Sequence, residues 1–265
     1  ALRGKDHVAA ATRDKVLKAA KELNYTASRS AAALASGRTN RIAMLARERL
    51  AGWFMGELFD GLYDELSRAR YDLTVYRAGS VEERAEFFTR LPANRNADAL
   101  IVSGFSAGGH LAASLGVFWD KDWLAKETGL TAEQMRPNGL LLSYPVITSG
   151  TYAHHGSIEN LMGTKKSKEL EELLSLEHQV GKQVPPVFIW HTLTDQSVPI
   201  QNTLMFTEAL VKNQVSVEAH IFPEGLHGLS LANEETQITE TGFGIQKRCQ
   251  DWITLAGKWV ADLEG

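Results

Sequence analysis

Apolar positions in this chain follow two alternating patterns. Short, near-continuous apolar runs stand at residues 42–46 (IAMLA), 73–76 (LTVY), 99–103 (ALIVS), 139–145 (GLLLSYP), 186–190 (PVFIW) and 217–222 (VEAHIF). Their length and bounding turn residues predict buried strands. Between them, helical spacing covers about 52–69, 81–91, 107–118, 166–181, 200–213 and 243–263. Strands that are apolar throughout, alternating with helices, predict an α/β fold with a mainly parallel sheet covered on both faces, a three-layer sandwich with right-handed crossovers. The stretch 146–165, with YAHHGS at its centre, reads as a long irregular insertion that walls or covers a pocket.

A different pattern precedes the first run. "ATRDKVLKAAKELNY" predicts a helix capped by Thr12, with Val16, Ala19, Ala20 and Leu23 on one face. "ASRSAAALASGRT" predicts a second helix that stops at Gly37. Residues 1–40 are thus expected to form a basic helical segment, and residues 41–265 the α/β domain.

Charge sharpens this division. The net charge is −4, yet residues 1–41 hold nine Lys/Arg against three acids, a balance of +6 that leaves −10 for the rest. Such asymmetry suits either a segment that faces nucleic acid or a solvated helix face. The single Cys249 excludes an internal disulfide and reads as a buried structural thiol on a helix. No run of 18 apolar residues and no signal-peptide pattern is present, so the expected location is cytoplasmic, with no membrane partner.

Candidate chemistry centres on "DALIVSGFSAGGHLAASL", residues 98–115, where a strand turns directly into a helix at Gly-Phe-Ser-Ala-Gly. A serine on a tight strand-to-helix turn needs neighbours without side chains, which Gly104 and Gly108 are expected to supply. The turn would raise the Ser106 hydroxyl above the sheet edge and aim the Ala107 N–H, at the positive end of the helix, toward a developing oxyanion. The bland alternative is a tight turn with an incidental serine.

A serine nucleophile needs a base, and the base needs an orienting acid. "VFIWHTLTDQSVP" offers Asp195 just past one strand, and "HIFPEGLHGLS" offers His227 just past the next. The order Ser106, Asp195, His227, each beyond the end of its own strand, matches the order in which such hydrolases carry their triad. His110, one turn into the helix, is expected to pack or cap, and His191 and His220 to be structural. His154 and His155 face apart without a third ligand, so no metal site is expected, nor any cofactor.

From about Gly104 onward, "GFSAGGHLAASLG", "RPNGLLLSYPVI", "PPVFIWHTLTDQSVP" and "FPEGLHGLSL" resemble the α/β-hydrolase esterases of the acetyl-esterase or acetyl-xylan-esterase-like group. The resemblance implies Ser106 as nucleophile, Asp195 as acid, His227 as base and Ala107 N–H as an oxyanion donor. It also implies a small ester or acetylated carbohydrate as substrate. The preceding residues, "ATRDKVLKAAKELNYTASRSAAALASGRTNRIAML", "FMGELFDGLYDELSRARYDLTVYRAG" and "ADALIVSG", resemble the LacI/GalR repressors. By that resemblance Leu34 would wedge into a DNA minor groove, with Arg29 beside it on the hinge helix. No helix-turn-helix precedes "ALRGKDHV", so DNA is not expected as a partner.

By these resemblances the repressor subdomain lays its first three strands in the order 2-1-3 and the hydrolase lays the three strands ending at its nucleophile in the same relative order, so joining them near residues 103–104 implies a six-stranded parallel sheet ordered 2-1-3-4-5-6. Ser106 would then stand at the topological switch point, where open α/β sheets hold ligands. The join carries a chemical cost. Where such esterases place a His-Gly-Gly loop, this chain reads "ARERLAGWFMG". Loss of one oxyanion donor lowers the rate by roughly 10²–10³. Three readings follow: a serine ester hydrolase, a DNA- or sugar-binding repressor fragment, or an inert scaffold that joins the two halves. The oligomeric state is left open.

Overall fold

Residues 9–22, 39, 41–46, 53–68, 71–77, 99–238 and 241–263 are described by the computed structural model of the chain. Contacts divide the chain into two units, Ala1–Asn40 and Arg41–Gly265. In the first, helix α1 spans Ala10–Glu22. It begins before Thr12, whose N–H donates to Ala9 O at 3.0 Å, so Thr12 lies in the first turn and is not the cap. Ala10 and Ala11 are the strongest helix formers available and carry the helix past it. The second N-terminal helix, with Arg29 and Leu34, lies outside the described residues, as does the helix expected over 81–91.

In the second unit, every predicted apolar run forms a strand: β1 Arg41–Ala46, β2 Asp72–Arg77, β3 Ala99–Phe105, β4 Gly139–Ser143, β5 Val187–Thr192 and β6 Val217–Phe222. All pairings are parallel and the order is β2-β1-β3-β4-β5-β6, as the sequence implied. The two neighbours of β3 share unequal registers with it among the described residues. β3 meets β1 at Ile42↔Ala99 and Ala43↔Leu100, then follows β4 over five positions, from Ile101↔Gly139 to Phe105↔Ser143.

Among the described residues, the helices that flank or lead from the sheet include α2 Trp53–Arg68, α3 Ala107–Phe118, α4 His155–Met162, α5 Lys168–Leu174 and α6 Gln201–Lys212. A last helix, α7, spans Trp252–Asp262. The strand period of two sorts the core into layers. Leu141, Phe188 and Trp190 pack on one face with Leu66 of α2 and with Trp252, Ala256 and Trp259 of α7. Leu140, Leu142, Val187 and Ile189 pack on the other with Ala113 and Val117 of α3 and with Phe206 and Leu210 of α6. Each such large side chain withdrawn from water contributes about 1.5–3 kcal/mol. The buried Trp190 and Trp252 indoles donate to Ser143 Oγ and Ser230 O, both at 2.8 Å, so neither polar tip is left unpaired.

Three expected boundaries move. The stretch 146–165 is not irregular: α4 occupies its second half, and Ile158 and Met162, one turn apart, bury against Val146 and Val198. Its N-cap is His154, whose Nδ1 accepts from Ser157 N at 3.2 Å, a role that usually falls to Ser, Thr, Asp or Asn. The helix expected over 166–181 breaks at Ser175, whose hydroxyl is used by Ser149 N at 3.2 Å. A 3₁₀ turn, Leu176–His178, follows. The final helix begins only at Trp252, after a 3₁₀ turn Lys247–Cys249 that buries the thiol, because Gly242 and Gly244 adopt positive φ and the Gln246 N–H is bound by Ala232 O.

Among the described residues, no helix is long and apolar enough to cross a membrane.

Candidate active site

Ser106 sits between β3 and α3 with φ 55° and ψ −122°, a conformation that L-residues rarely adopt. Backbone bonds hold it there. Its N–H donates to Ser143 O, and its carbonyl accepts from Gly109 N and Val146 N, all at 3.0 Å. The turn is therefore fastened to the end of β4 as well as to its own helix.

The glycines around it are not equivalent. A Cβ on Gly104 would fall 2.1 Å from Gly108 O, and one on Gly109 would fall 2.5 Å from Pro145 Cβ. A Cβ on Gly108 would meet nothing within 4 Å. The expectation that Gly108 must lack a side chain is thus corrected: Gly104 and Gly109 carry the steric requirement. Ala107 is the first residue of α3, where helix N–H groups have no intrahelical acceptor. The Arg47–Gly52 loop lies outside the described residues.

Asp195 follows β5 in a tight turn. Its Oδ1 accepts from Ser197 N and Val198 N, both at 2.9 Å, which fixes one carboxylate oxygen with two backbone donors. Its Oδ2 lies 2.6 Å from His227 Nδ1. The other nitrogen of that ring, Nε2, lies 2.7 Å from Ser106 Oγ. Since a carboxylate can only accept, Nδ1 carries the hydrogen and Nε2 presents its lone pair to the serine hydroxyl. The Asp195 side chain is 1% exposed and that of His227 is 20% exposed, so the acid is sealed while the imidazole borders solvent. Burial pushes the Asp195 carboxyl upward. The hydrogen bonds from His191, His227 and the Val198 N–H more than offset this and hold it well below the usual carboxylate range.

Side chains that no motif singled out lock the two loops together. Thr192 and Thr194 both donate to Gly225 O, at 2.8 and 3.0 Å, and Gly225 N donates back to Thr194 Oγ1 at 2.8 Å. Tyr144, at φ 38°, meets the His227 ring in a T-shape with centroids 5.0 Å apart. His191, expected to be merely structural, reaches Asp195 Oδ2 at 3.2 Å. A histidine at a strand end carries no pattern that would have revealed this. Of the other histidines, His110 Nε2 reaches across the fold to Leu174 O at 2.9 Å, and His220 Nε2 bonds Glu218 Oε1 on its own strand at 2.7 Å. Among the described residues, no group of three or more His, Cys, Asp or Glu side chains is placed to hold a metal ion.

A hydroxyl, an imidazole and a carboxylate in series, with a helix amide beside them, can remove a proton from the hydroxyl as it attacks a carbonyl. The family model described as BD-FAE matches residues 92–210. Endo-1,4-beta-xylanase B of Butyrivibrio fibrisolvens is 41% identical over 157 residues, 57% of this chain and 24% of that protein. The HTH-type transcriptional repressor PurR of Vibrio parahaemolyticus is 34% identical over 95 residues, 36% of this chain and 28% of the repressor. The chain thus spans about a quarter of the length of each of these relatives. An acetyl ester-xyloside bifunctional hydrolase from Caldicellulosiruptor lactoaceticus has a solved structure that superposes with a TM-score of 0.61 at 28% identity, covering 84% of this chain and 82% of that one. With its six parallel strands in this order and its helices on both faces, the chain has the fold of the α/β-hydrolase esterases.

Proposed function

We propose that the chain is a serine carboxylic-ester hydrolase acting on short-chain, acetyl-type esters, including acetylated carbohydrates. The observation that carries this is the His227 ring, 2.7 Å from Ser106 Oγ on one side and 2.6 Å from Asp195 Oδ2 on the other. Ser106 Oγ attacks the ester carbonyl while His227 Nε2 takes its proton. Asp195 stabilises the resulting imidazolium, and the carbonyl oxygen gathers negative charge beside the Ala107 N–H. His227 then protonates the departing alcohol. Water, activated by the same imidazole, releases the acid and restores Ser106. Support for the substrate class comes from the acetyl ester-xyloside hydrolase whose fold this chain shares.

Hydrolysis of p-nitrophenyl acetate tests the proposal. It should fall to near background in Ser106→Ala and in His227→Ala, and a fluorophosphonate should label Ser106 in the wild type alone. Equal rates in all three proteins would reject it.

The match to PurR favours a second, compatible reading, in which the N-terminal part is a repressor-derived half-fold that completes the sheet. On this reading Leu34 and Arg29 are remnants of a DNA contact. A shift of operator-like DNA that weakens with salt and is lost in Leu34→Ala would instead make them functional.

A further inference from the structure

Asp195 carries a second imidazole. His191, in β5, is fully buried, with Nε2 3.2 Å from Asp195 Oδ2 and 3.0 Å from Val198 O. Its Nδ1 lies 2.7 Å from Thr203 Oγ1 on α6, also fully buried. Both neighbours of Nε2 are acceptors, so Nε2 must carry the hydrogen. The Thr203 hydroxyl can rotate to donate to Nδ1, so His191 is satisfied as a neutral ring.

The carboxylate therefore has four donors: two backbone amides on Oδ1, and one imidazole from each side on Oδ2. The two oxygens are held by different means. The turn itself supplies the donors to Oδ1. Rotation about the terminal torsion of an aspartate is soft, so Oδ2 needs its own restraint.

We infer that His191 is a positioning residue for the hydrolysis proposed above, clamping Asp195 Oδ2 so that it faces His227 Nδ1 and is a weaker base than it would be with His227 as its sole side-chain partner. The inference rests on the triad reading and extends it. The electrostatic sign follows from competition for one oxygen. A donor on Oδ2 draws density away from the His227 hydrogen bond, so the protonated form of His227 is stabilised less while His191 is in place. Removing the donor raises the pH at which His227 takes up a proton. Among the described residues, the titratable groups facing this cluster are His227 after β6 and Tyr144 after β4. Thr203 on α6 is uncharged.

A ring that only fills space under β5 would leave that midpoint unmoved, and this separates the two roles. The experiment compares wild type with His191→Leu, which removes both hydrogen bonds, and with His191→Gln, which keeps an N–H donor of similar reach. An NMR titration follows His227 Cε1–H and the low-field Nδ1–H signal. The pH profile of kcat/KM on p-nitrophenyl acetate is recorded alongside.

In His191→Leu the His227 midpoint should rise by about half a unit. The Nδ1–H signal should shift, and kcat should fall roughly tenfold with KM nearly unchanged. His191→Gln should recover most of each effect. A folded His191→Leu protein with an unmoved His227 midpoint overturns the inference. If that variant does not fold, His191→Phe takes its place, because it fills the volume of the ring without offering a donor to Asp195 Oδ2. Its His227 midpoint should also rise, and an unmoved one is equally decisive. The titration does not need turnover, so a wild-type protein that fails to hydrolyse ester, with the midpoint still shifted in His191→Leu, would sink the hydrolase reading and leave the clamp on Asp195 standing.

Discussion

The Tyr144 hydroxyl accepts the backbone N–H of Ser230 at 3.1 Å, while the Tyr144 ring stands T-shaped to His227 at 5.0 Å. One side chain beyond β4 thus braces both His227 and the loop that carries it. Its position depends on an unusual backbone, φ 38°, set where β4 ends and Tyr144 N binds Trp190 O at 2.7 Å. Burial pushes the Tyr144 hydroxyl well above the usual phenol range, so it stays protonated at any working pH. Tyr144→Phe leaves the buried Ser230 N–H without its acceptor. A loss of about 1–3 kcal/mol in urea denaturation is expected, together with slower ester hydrolysis.

The glycines of the Ser106 turn should separate sharply by stability. Gly104→Ala sets a methyl against backbone that cannot retreat, and a cost of about 3 kcal/mol or more is expected. Gly109→Ala, against Pro145, should be nearly as damaging. Gly108→Ala lies in open space on the first turn of α3 and should be neutral, or stabilising by up to about 1 kcal/mol. Three denaturation curves decide the order.

Acid should weaken the fold in two stages of the same sign. Burial holds the His110 imidazole below its ordinary 6.5, so the unfolded chain takes up a proton there first and stability falls as pH drops below about 6.5. The Asp195 carboxyl is held below its ordinary 3.8, so its contribution is present at higher pH and is lost as pH falls below about 4. His110→Gln, which can keep a donor toward Leu174 O, should flatten the fall in urea midpoint between pH 7 and pH 5. It should leave the steeper loss below pH 4 unchanged. Parallel curves for the two proteins across the whole range would contradict this.

Cys249 is fully buried, and burial pushes its thiol up to about 12. Its Sγ lies 3.7 Å from Glu224 O, and it packs in the cluster that holds Trp190 and Trp252. Thiol reagents attack the thiolate, so native protein at pH 8 should be inert to Ellman's reagent and react with one equivalent only once unfolded. Rapid reaction of the native protein would show that this side of the core opens.

Where hydrophobic rhythm or strand-end position determines a feature, the sequence made it legible. Phe188 and Trp190 against Val187 and Ile189 sort the two faces of β5, and Ser106, Asp195 and His227 each follow a recognisable strand. Features that depend on what packs across a gap were not legible. Gly108 and Gly109 look alike in sequence, and only the approach of Pro145 distinguishes them. Helix α4 was hidden because histidine is an unusual cap and the apolar signal is a single Ile158–Met162 pair. His191 was missed because its significance lies in Asp195 and Thr203, four and twelve residues further along the chain.

The unequal neighbours of β3 have a bearing on how such a chain can arise. The reactive turn takes its alignment from β4, which comes later in the chain and matches β3 along five positions. Toward β1 the described ladder asks for a parallel companion beside Ala99 and Leu100 and little else. An upstream module therefore needs no knowledge of the chemistry: it has to supply edge cover and a short matching segment. By this pairing the Ser106 turn is tied to the strand that follows it in the chain, and the described register asks little of the one before.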